Sequence, residues 1–357
     1  MTALQKEGWL EFWRGLAISI AFSTPFSFLM PERNLPIVLV ILIYALPFAT
    51  GFRLFSVYVE PRLKRRSFLL TALLQLIGTA LVLGISFLIA FVTFLCLNYR
   101  AAPWDQSVLQ ILGVIARSPV MHVSFLISML LVFIVASVMA ISKKLGPGVL
   151  RAWMLGYYHQ PRQERRIFMF LDLRDSTTHA EALGDLQFSA LIRDFFDDLT
   201  EPVLETKAEV SHYIGDEAVL TWKPELGLNQ ANCLRLFFLF QESLQKRASI
   251  YLERYGFVPG FKAGAHVGSV VTTEVGRIKS EIVYHGDTLN TAARIQSLCN
   301  GLGCDFLVSG SLLEQLRLPP GLEAEAMGSH HLKGKLEPVE LWAVHAVGST
   351  LPAVALR

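Results

Sequence analysis

Apolar positions follow two different regimes along this chain. In the first 144 residues they come as unbroken runs: Gly15 to Pro31, Asn34 to Phe52, Ser67 to Tyr99 and Ser118 to Ser142 contain no Asp, Glu, Lys or Arg. A helix needs about 20 apolar residues to cross about 30 Å of hydrocarbon, so the runs predict four transmembrane helices. The first two are short, and their alternative is a re-entrant or interfacial hairpin around Pro31 and Pro36. Between the third and fourth runs, Val108, Leu109, Ile111, Leu112, Val114 and Ile115 recur at helical spacing, predicting an amphipathic helix on the outer membrane surface.

Leu145-Gly-Pro-Gly148 then breaks the pattern. Val149, Leu150, Trp153, Met154, Tyr157 and Tyr158 predict a juxtamembrane linker helix within residues 145–164, stopped by Pro161. It serves as an interfacial spacer anchored by Trp and Tyr, with transmission between the two halves as an added reading. From Arg165 the periods shorten to those of a compact α+β domain, expected over residues 165–347 with a tail at 348–357. Arg166 to Leu173 is apolar on both faces and reads as a central strand. Phe188, Leu191, Ile192, Phe195, Phe196 and Leu199 form one helical stripe. Strands at Ala208 to Ile214 and Ala218 to Trp222 flank a hairpin at Gly215-Asp216-Glu217. A long helix (Asn229 to Tyr255), strands at Phe261 to Val271 and Glu281 to His285, a helix from Thr288 to Cys299, and strands at Phe306 to Ser309 and Val339 to Val344 follow, suggesting a mostly antiparallel sheet covered by helices.

Composition sharpens the division. The 357 residues are 52% hydrophobic and 17% charged, against roughly 25% charged in soluble domains. Residues 1–144 hold 12 Lys and Arg against 5 Asp and Glu, a net of +7, and the remainder nets −5. That acidic half has no basic helix face to meet nucleic acid. Arg53, Arg62, Lys64, Arg65 and Arg66 after the second run, with Lys143 and Lys144 after the fourth, place those loops and both termini in the cytoplasm of a multi-pass cell-membrane protein. No small-residue cleavage site follows the first run, arguing against a removed signal. Cys96, Cys233, Cys299 and Cys304 show no metal-binding spacing and read as reduced packing residues.

Two sets of residues carry candidate chemistry. Asp172 ends an apolar strand and Asp216 sits in a hairpin turn; singly, each fits a turn-capping Asp. A strand end beside a hairpin turn can bring both carboxylates to one point, where a hard cation such as Mg²⁺ is held by one or two carboxylates plus substrate phosphates. The carbonyl of Leu173 could add an oxygen. Asn290 and Arg294 lie i, i+4 on one helix face; an Arg fork suits phosphate, while an isolated pair of this kind also fits a capped helix start with a solvated Arg.

Five motifs in order then resemble the class III adenylate/guanylate cyclase catalytic domain: Phe170-Leu-Asp-Leu-Arg-Asp-Ser-Thr177, Tyr213-Ile-Gly-Asp-Glu217 with its Asp 44 residues after the first, Lys262-Ala-Gly-Ala-His-Val-Gly268, Gly286-Asp-Thr-Leu-Asn-Thr-Ala-Ala-Arg294, and Leu332-Lys-Gly-Lys-Leu-Glu-Pro-Val339. The resemblance covers roughly Arg165 to Val347, and the membrane half has no share in it. It implies a ferredoxin-like class III nucleotidyl cyclase fold and a homodimer whose sites draw on both chains. It also implies two ions of Mg²⁺ or Mn²⁺ per site on Asp172 and Asp216, Asn290 orienting the ribose, Arg294 meeting the transition state, and Lys335 or Lys333 near the triphosphate. The reaction would convert ATP to 3′,5′-cyclic AMP and pyrophosphate, by positioning and electrostatics. Adenylate cyclases of the family read the base with a Lys four residues before the second metal Asp and an Asp or Thr seven before the ribose Asn. Guanylate cyclases carry Glu and Cys there. Here the positions hold His212 and Val283, with Lys279 and Glu281 as candidate substitutes or ordinary surface charges.

The leading expectation is therefore a membrane-anchored adenylate cyclase, with a guanylate cyclase or a catalytically silent nucleotide-binding module as alternatives. A transporter is disfavoured, because the apolar runs carry no Asp, Glu, Lys or Arg to mark an ion path and His122 is the single ionisable candidate. His266 and His179 have no partner spacing and read as structural.

Overall fold

The computed structural model describes residues 37–54, 68–119 and 154–348 apart from 279, with scattered helical positions between 9 and 20 and between 122 and 138. Most of the first and fourth expected spans, the basic loop at 55–66, the start of the linker, Lys279 and the tail from 349 lie outside the described residues. The chain divides into two compact units, Met1–Lys144 and Leu145–Arg357.

In the first unit α1 (Ile37–Leu54) packs on α2 (Phe68–Tyr99). Small residues allow the approach: Ala45 and Ala49 are fully buried, and a Cβ at Gly51 would meet Val82 Cγ1 at 2.8 Å. Among the described residues one stretch, Ala80–Tyr99, is long and apolar enough to cross a membrane. Asp105 caps α3 (Gln106–Ala116) by accepting from the Ser107 N–H at 2.9 Å. The sequence pattern placed this helix's apolar stripe on the membrane surface. Val108 is buried with Phe91, Phe94 and Leu95 of α2, Ile111 and Leu112 pack against the same cluster, and Leu109 and Val114 of the stripe stay exposed. The end of α2 thus covers part of the apolar stripe.

The second unit opens differently from its expectation too. Met154 is helical, but residues 155–158 form turns, and β1 (Arg162–Leu173) starts four residues before the expected strand start at Arg166. Strand pairing explains the early start, because Arg162 to Arg165 lie in register with Ser269 to Thr272. After β1 come α4 (Ser176–Asp198), α5 (Thr200–Thr206), β2 (Glu209–Ile214), β3 (Glu217–Trp222), α6 (Asn232–Lys246), α7 (Ala248–Tyr255), β4 (Phe261–Val275), β5 (Glu281–His285), α8 (Asp287–Ser297), β6 (Phe306–Ser309), β7 (Leu322–His330) and β8 (Val339–Ala346). The sheet order is β2-β3-β1-β4-β6-β8-β7, with β5 on β4. Its first four strands are antiparallel neighbours in a β-α-β-β-α-β order, the ferredoxin-like arrangement. The pair β4·β6 is parallel.

Alternation along β1 sorts the two layers. Ile167, Met169, Leu171 and Leu173 join Leu191, Phe195, Phe237 and Phe240 in the main core beneath α4 and α6. Phe168 and Phe170 point the other way, into a second cluster with Val219, Val270 and Ala292, under α8 and β5. Asp172 and Arg166 share that second face by parity.

The expected long helix is two. Its axis breaks at Arg247 (φ −105°, ψ 12°), whose guanidinium pairs with Asp198 of α4, while Tyr251 donates to the same carboxylate. Strand β7 has no counterpart in the sequence reading, although Leu322 and Ala324 alternate with exposed Glu323 and Glu325. His179 stacks on Phe257 at 3.9 Å, and His266 Nδ1 lies 2.8 Å from Ser309 Oγ.

Candidate active site

Asp172 stands at the end of β1, opposite Glu217 of β3 and Lys262 of β4. The loop between β2 and β3 is the two-residue turn Gly215-Asp216, with Gly215 at φ +61°, a positive value that suits a glycine at the first central position of a hairpin. The turn is tied to β1, because the Leu173 N–H donates to the Asp216 carbonyl at 3.4 Å. Asp172 Oδ2 accepts from Gln296 Nε2 at 3.0 Å and lies 3.3 Å from Lys262 Nζ. Burial raises the Asp172 carboxyl above its ordinary range, and the Asp216 charge raises it further against the pull of Lys262. Glu217 is pushed up to about 7 by burial and by the same two aspartates. Three carboxyls thus crowd one corner with one lysine to offset them.

Helix α8 supplies the second group. It rests directly on the β4 backbone: a Cβ at Gly264 would stand 2.2 Å from the Gln296 backbone N, and one at Gly268 would stand 2.4 Å from Thr288 Oγ1. These glycines are the reason the Lys262-to-Gly268 motif needs no side chain at two positions on one strand face. Thr288, Ala292, Ile295 and Gln296 form the buried side of the helix. Asn290 is exposed and Arg294 half-buried one turn later, on another side. Asp287 Oδ2 holds Lys335 Nζ at 2.8 Å, and its other oxygen is 4.0 Å from Arg294 Nη1. That Arg294 nitrogen is buried without a hydrogen-bond partner. Gly334 (φ +78°) turns the chain against the Arg294 guanidinium, bringing Lys335 in and leaving Lys333 exposed.

His212 and Val283, the two positions that the sequence resemblance assigns to the base, lie on β2 and β5. His212 follows a β-bulge at Val210/His212, and its Nδ1 is 2.9 Å from Ser211 Oγ. Surrounding bulk lowers its imidazole below the ordinary value, opposed by the nearby Glu281 charge. Val283 pairs with Thr273 of β4 and offers no polar side chain.

Residues 158–346 match the family described as the adenylate and guanylate cyclase catalytic domain. The chain belongs to this family. Adenylate cyclase 2 of Rhizobium meliloti (strain 1021) is 36% identical over 221 residues, 60% of this chain and 61% of that protein. Retinal guanylyl cyclase 2 of Rattus norvegicus is 39% identical over 92 residues, 26% of this chain and 8% of that protein. The chain therefore spans about three fifths of the bacterial relative's length and a small part of the mammalian one's. A solved structure of a bacterial light-regulated adenylyl cyclase shares the fold, with a TM-score of 0.51 and 19% identity over 61% of this chain and 63% of that one.

In this cyclase domain the donor set at the end of β1 fits a divalent metal of the kind the family uses. Two carboxylates and the Leu173 backbone beside them are hard oxygen donors, and the raising of Asp172 by burial and by the Asp216 charge reflects crowded negative charge that a bound cation would relieve. The structure brings Asp172, Leu173 and Asp216 together, and separately Asn290, Arg294 and Lys335. Reading the sequence alone left out Glu217, Lys262, Gln296 and Asp287. Glu217 and Asp287 had a local signal, each adjoining a motif residue; Lys262 and Gln296 reach Asp172 only through strand register and helix packing.

Proposed function

We propose that this chain is a membrane-anchored adenylate cyclase that converts ATP to 3′,5′-cyclic AMP and pyrophosphate at sites shared by two copies of the chain. The observation that carries the reading is the Asp172–Asp216 corner inside a cyclase family domain. Asp172, Asp216 and the Leu173 carbonyl would hold Mg²⁺ or Mn²⁺. Two such ions, when bound, activate the ribose 3′-OH and neutralise the departing pyrophosphate. Asn290 orients the ribose, and the Arg294 guanidinium, whose Nη1 makes no hydrogen bond within the chain, meets charge building on the α-phosphate. Lys335 exchanges Asp287 for the triphosphate, with Lys333 available beside it.

Helix geometry supports the second copy. At 100° per residue, Gln296, which contacts Asp172, projects about 200° round α8 from Arg294. The Asn290/Arg294 side thus turns away from the metal corner of its own chain. Tyr213 and Ile214 at the tip of the β2–β3 hairpin are exposed, and Leu336 beside Lys335 is 98% exposed; apolar groups at these positions support a partner surface. Anchoring in a bilayer is supported by the apolar runs of the first unit and by Ala80–Tyr99.

The adenine preference rests on His212. With its imidazole neutral near pH 7, Ser211 Oγ donating to Nδ1 would leave the proton on Nε2. An Nε2–H donor matches adenine N1, whereas guanine presents an N–H there. Incubating the purified chain with Mn²⁺ or Mg²⁺ and either ATP or GTP tests the whole reading. Cyclic AMP as the main product supports it; cyclic GTP-derived product as the main one makes the chain a guanylate cyclase, and neither product makes it a silent nucleotide-binding module.

A further inference from the structure

Arg166 is 2% exposed, although it carries a full charge on the central strand. Its Nε lies 3.0 Å from Glu164 Oε1, its Nη1 lies 2.6 Å from Glu209 Oε2, and its guanidinium carbon sits 5.0 Å from the centre of the Tyr284 ring. Glu209 opens β2, three residues before His212 and across the bulge. Tyr284 is the neighbour of Val283 on β5, and its ring packs edge-on against Phe168 at 5.3 Å. Glu164 closes the circuit by accepting from Thr272, the β4 residue in register with Tyr284. One side chain therefore touches both strands that carry the base-side positions.

Stability alone is a poor account of such a residue. Replacing a buried ion network with apolar side chains of similar volume is often neutral or stabilising. What a guanidinium adds is a rigid fork that can hold two carboxylates while stacking on a ring, a combination that an ammonium cannot reproduce. Reading a base by hydrogen bonds requires placement within about 0.5 Å, and a bulged strand such as β2 has its side-chain aim set by local geometry.

We propose that Arg166 is a positioning residue that fixes the spacing of β2 and β5 and thereby sets the discrimination between adenine and guanine. The inference rests on the reading of those strands as the base side of the cyclase pocket. It is tested in the full chain with Arg166→Lys, Glu209→Gln and Tyr284→Leu. Arg235→Lys, which alters an ion pair with Glu205 on helices away from β2 and β5, is the control. The readouts are dissociation constants for 3′-deoxy-ATP and 3′-deoxy-GTP, which cannot cyclise, then KM and kcat for ATP and GTP, and the unfolding midpoint. Arg166→Lys should lower the ATP-to-GTP preference roughly five- to tenfold in Kd and KM, with a smaller change in kcat. The other two variants should move it in the same direction, and Arg235→Lys should leave it unchanged. A folded Arg166→Lys with an unchanged preference overturns the proposal, as does an equal loss of affinity for both nucleotides, which marks a merely structural role. A parent chain without preference overturns it as well. Should Arg166→Lys not fold, Glu209→Gln decides by the same criteria. Because binding is read without turnover, a chain that binds the deoxy analogues but forms no cyclic product refutes the cyclase activity and still judges Arg166.

Discussion

Mixing two inactive variants puts the shared site to a quantitative test. Asp172→Asn removes one charge from the metal corner at nearly constant side-chain size, and Arg294→Ala removes the fork on the other side of α8. Each variant alone should lose orders of magnitude of activity while keeping its fold, since each homodimer carries its lesion in both sites. In a heterodimer one site collects both lesions. The other receives an intact Asp172 from one chain and an intact Arg294 from its partner. With equal expression and random pairing half of the dimers are mixed, and each has one working site of two, so activity should return to about a quarter of the parent value per chain. Co-expression with two affinity tags, tandem purification and a cyclic AMP assay would read this directly, and the doubly tagged fraction should reach about half of the parent activity. The geometric basis is the rotation between Gln296, bonded to Asp172 at 3.0 Å, and Arg294 on the same helix. Doubly tagged dimers as inactive as either parent would refute the two-chain site.

Other perturbations probe other links. Gly264→Ala forces a Cβ to 2.2 Å from the Gln296 backbone N; with backbone rather than a flexible side chain in the way, the cost should be about 3 kcal/mol or more, seen as a large drop in unfolding midpoint together with lost activity. His266 is held down to about 4 by burial and by the Lys335 charge. The unfolded chain therefore binds its proton first, stability falls as pH drops from about 6.5 to 4, and the loss is at most about 3 kcal/mol; a His266→Gln variant should show a flatter pH dependence of unfolding, and an identical slope would contradict the assignment. His212→Ala should reduce the ATP-over-GTP preference more than Lys279→Ala does in competition kinetics, and a preference indifferent to His212 would remove it from base reading. In sealed right-side-out cells a tag at either terminus should be protected from protease and one near Ala102 should be cleaved; an accessible C-terminus would contradict a cytoplasmic ATP site.

What the sequence made legible was whatever lay within one element or one turn. Asp172 was visible because an acidic residue ends an apolar strand, Asp216 because Gly-Asp breaks two strand-like runs, and Asn290 with Arg294 because four residues make one helical turn. Lys262 and Gln296 were not visible as partners of Asp172. The first meets it through antiparallel register across 90 residues of chain, and the second through a helix that lies on Gly264. The amphipathic stripe on α3 was legible as a stripe, but not the contact of its Val108, Ile111 and Leu112 with α2, which depends on how two helices pack. The break at Arg247 was hidden because helical periodicity continues through it, while the cause is a carboxylate on α4.

The same distinction explains why Arg166 drew no notice in the sequence, where it reads as the polar start of a strand. Its significance comes from residues on three strands, Glu164 beside it on β1, Glu209 on β2 and Tyr284 on β5, that converge on one guanidinium. In the proposed reading His212 and Val283 stand where the family's base-reading residues would be, and a pocket built on them has fewer side-chain hydrogen bonds with which to reject the wrong base. The remaining ones then depend more on placement, because a single donor discriminates only when it is held in line with its acceptor. A domain that reads adenine through one imidazole has more need of a rigid clamp behind that imidazole than one that reads it through two polar side chains. A buried arginine joining β2 to β5 is the form such a clamp takes in this fold.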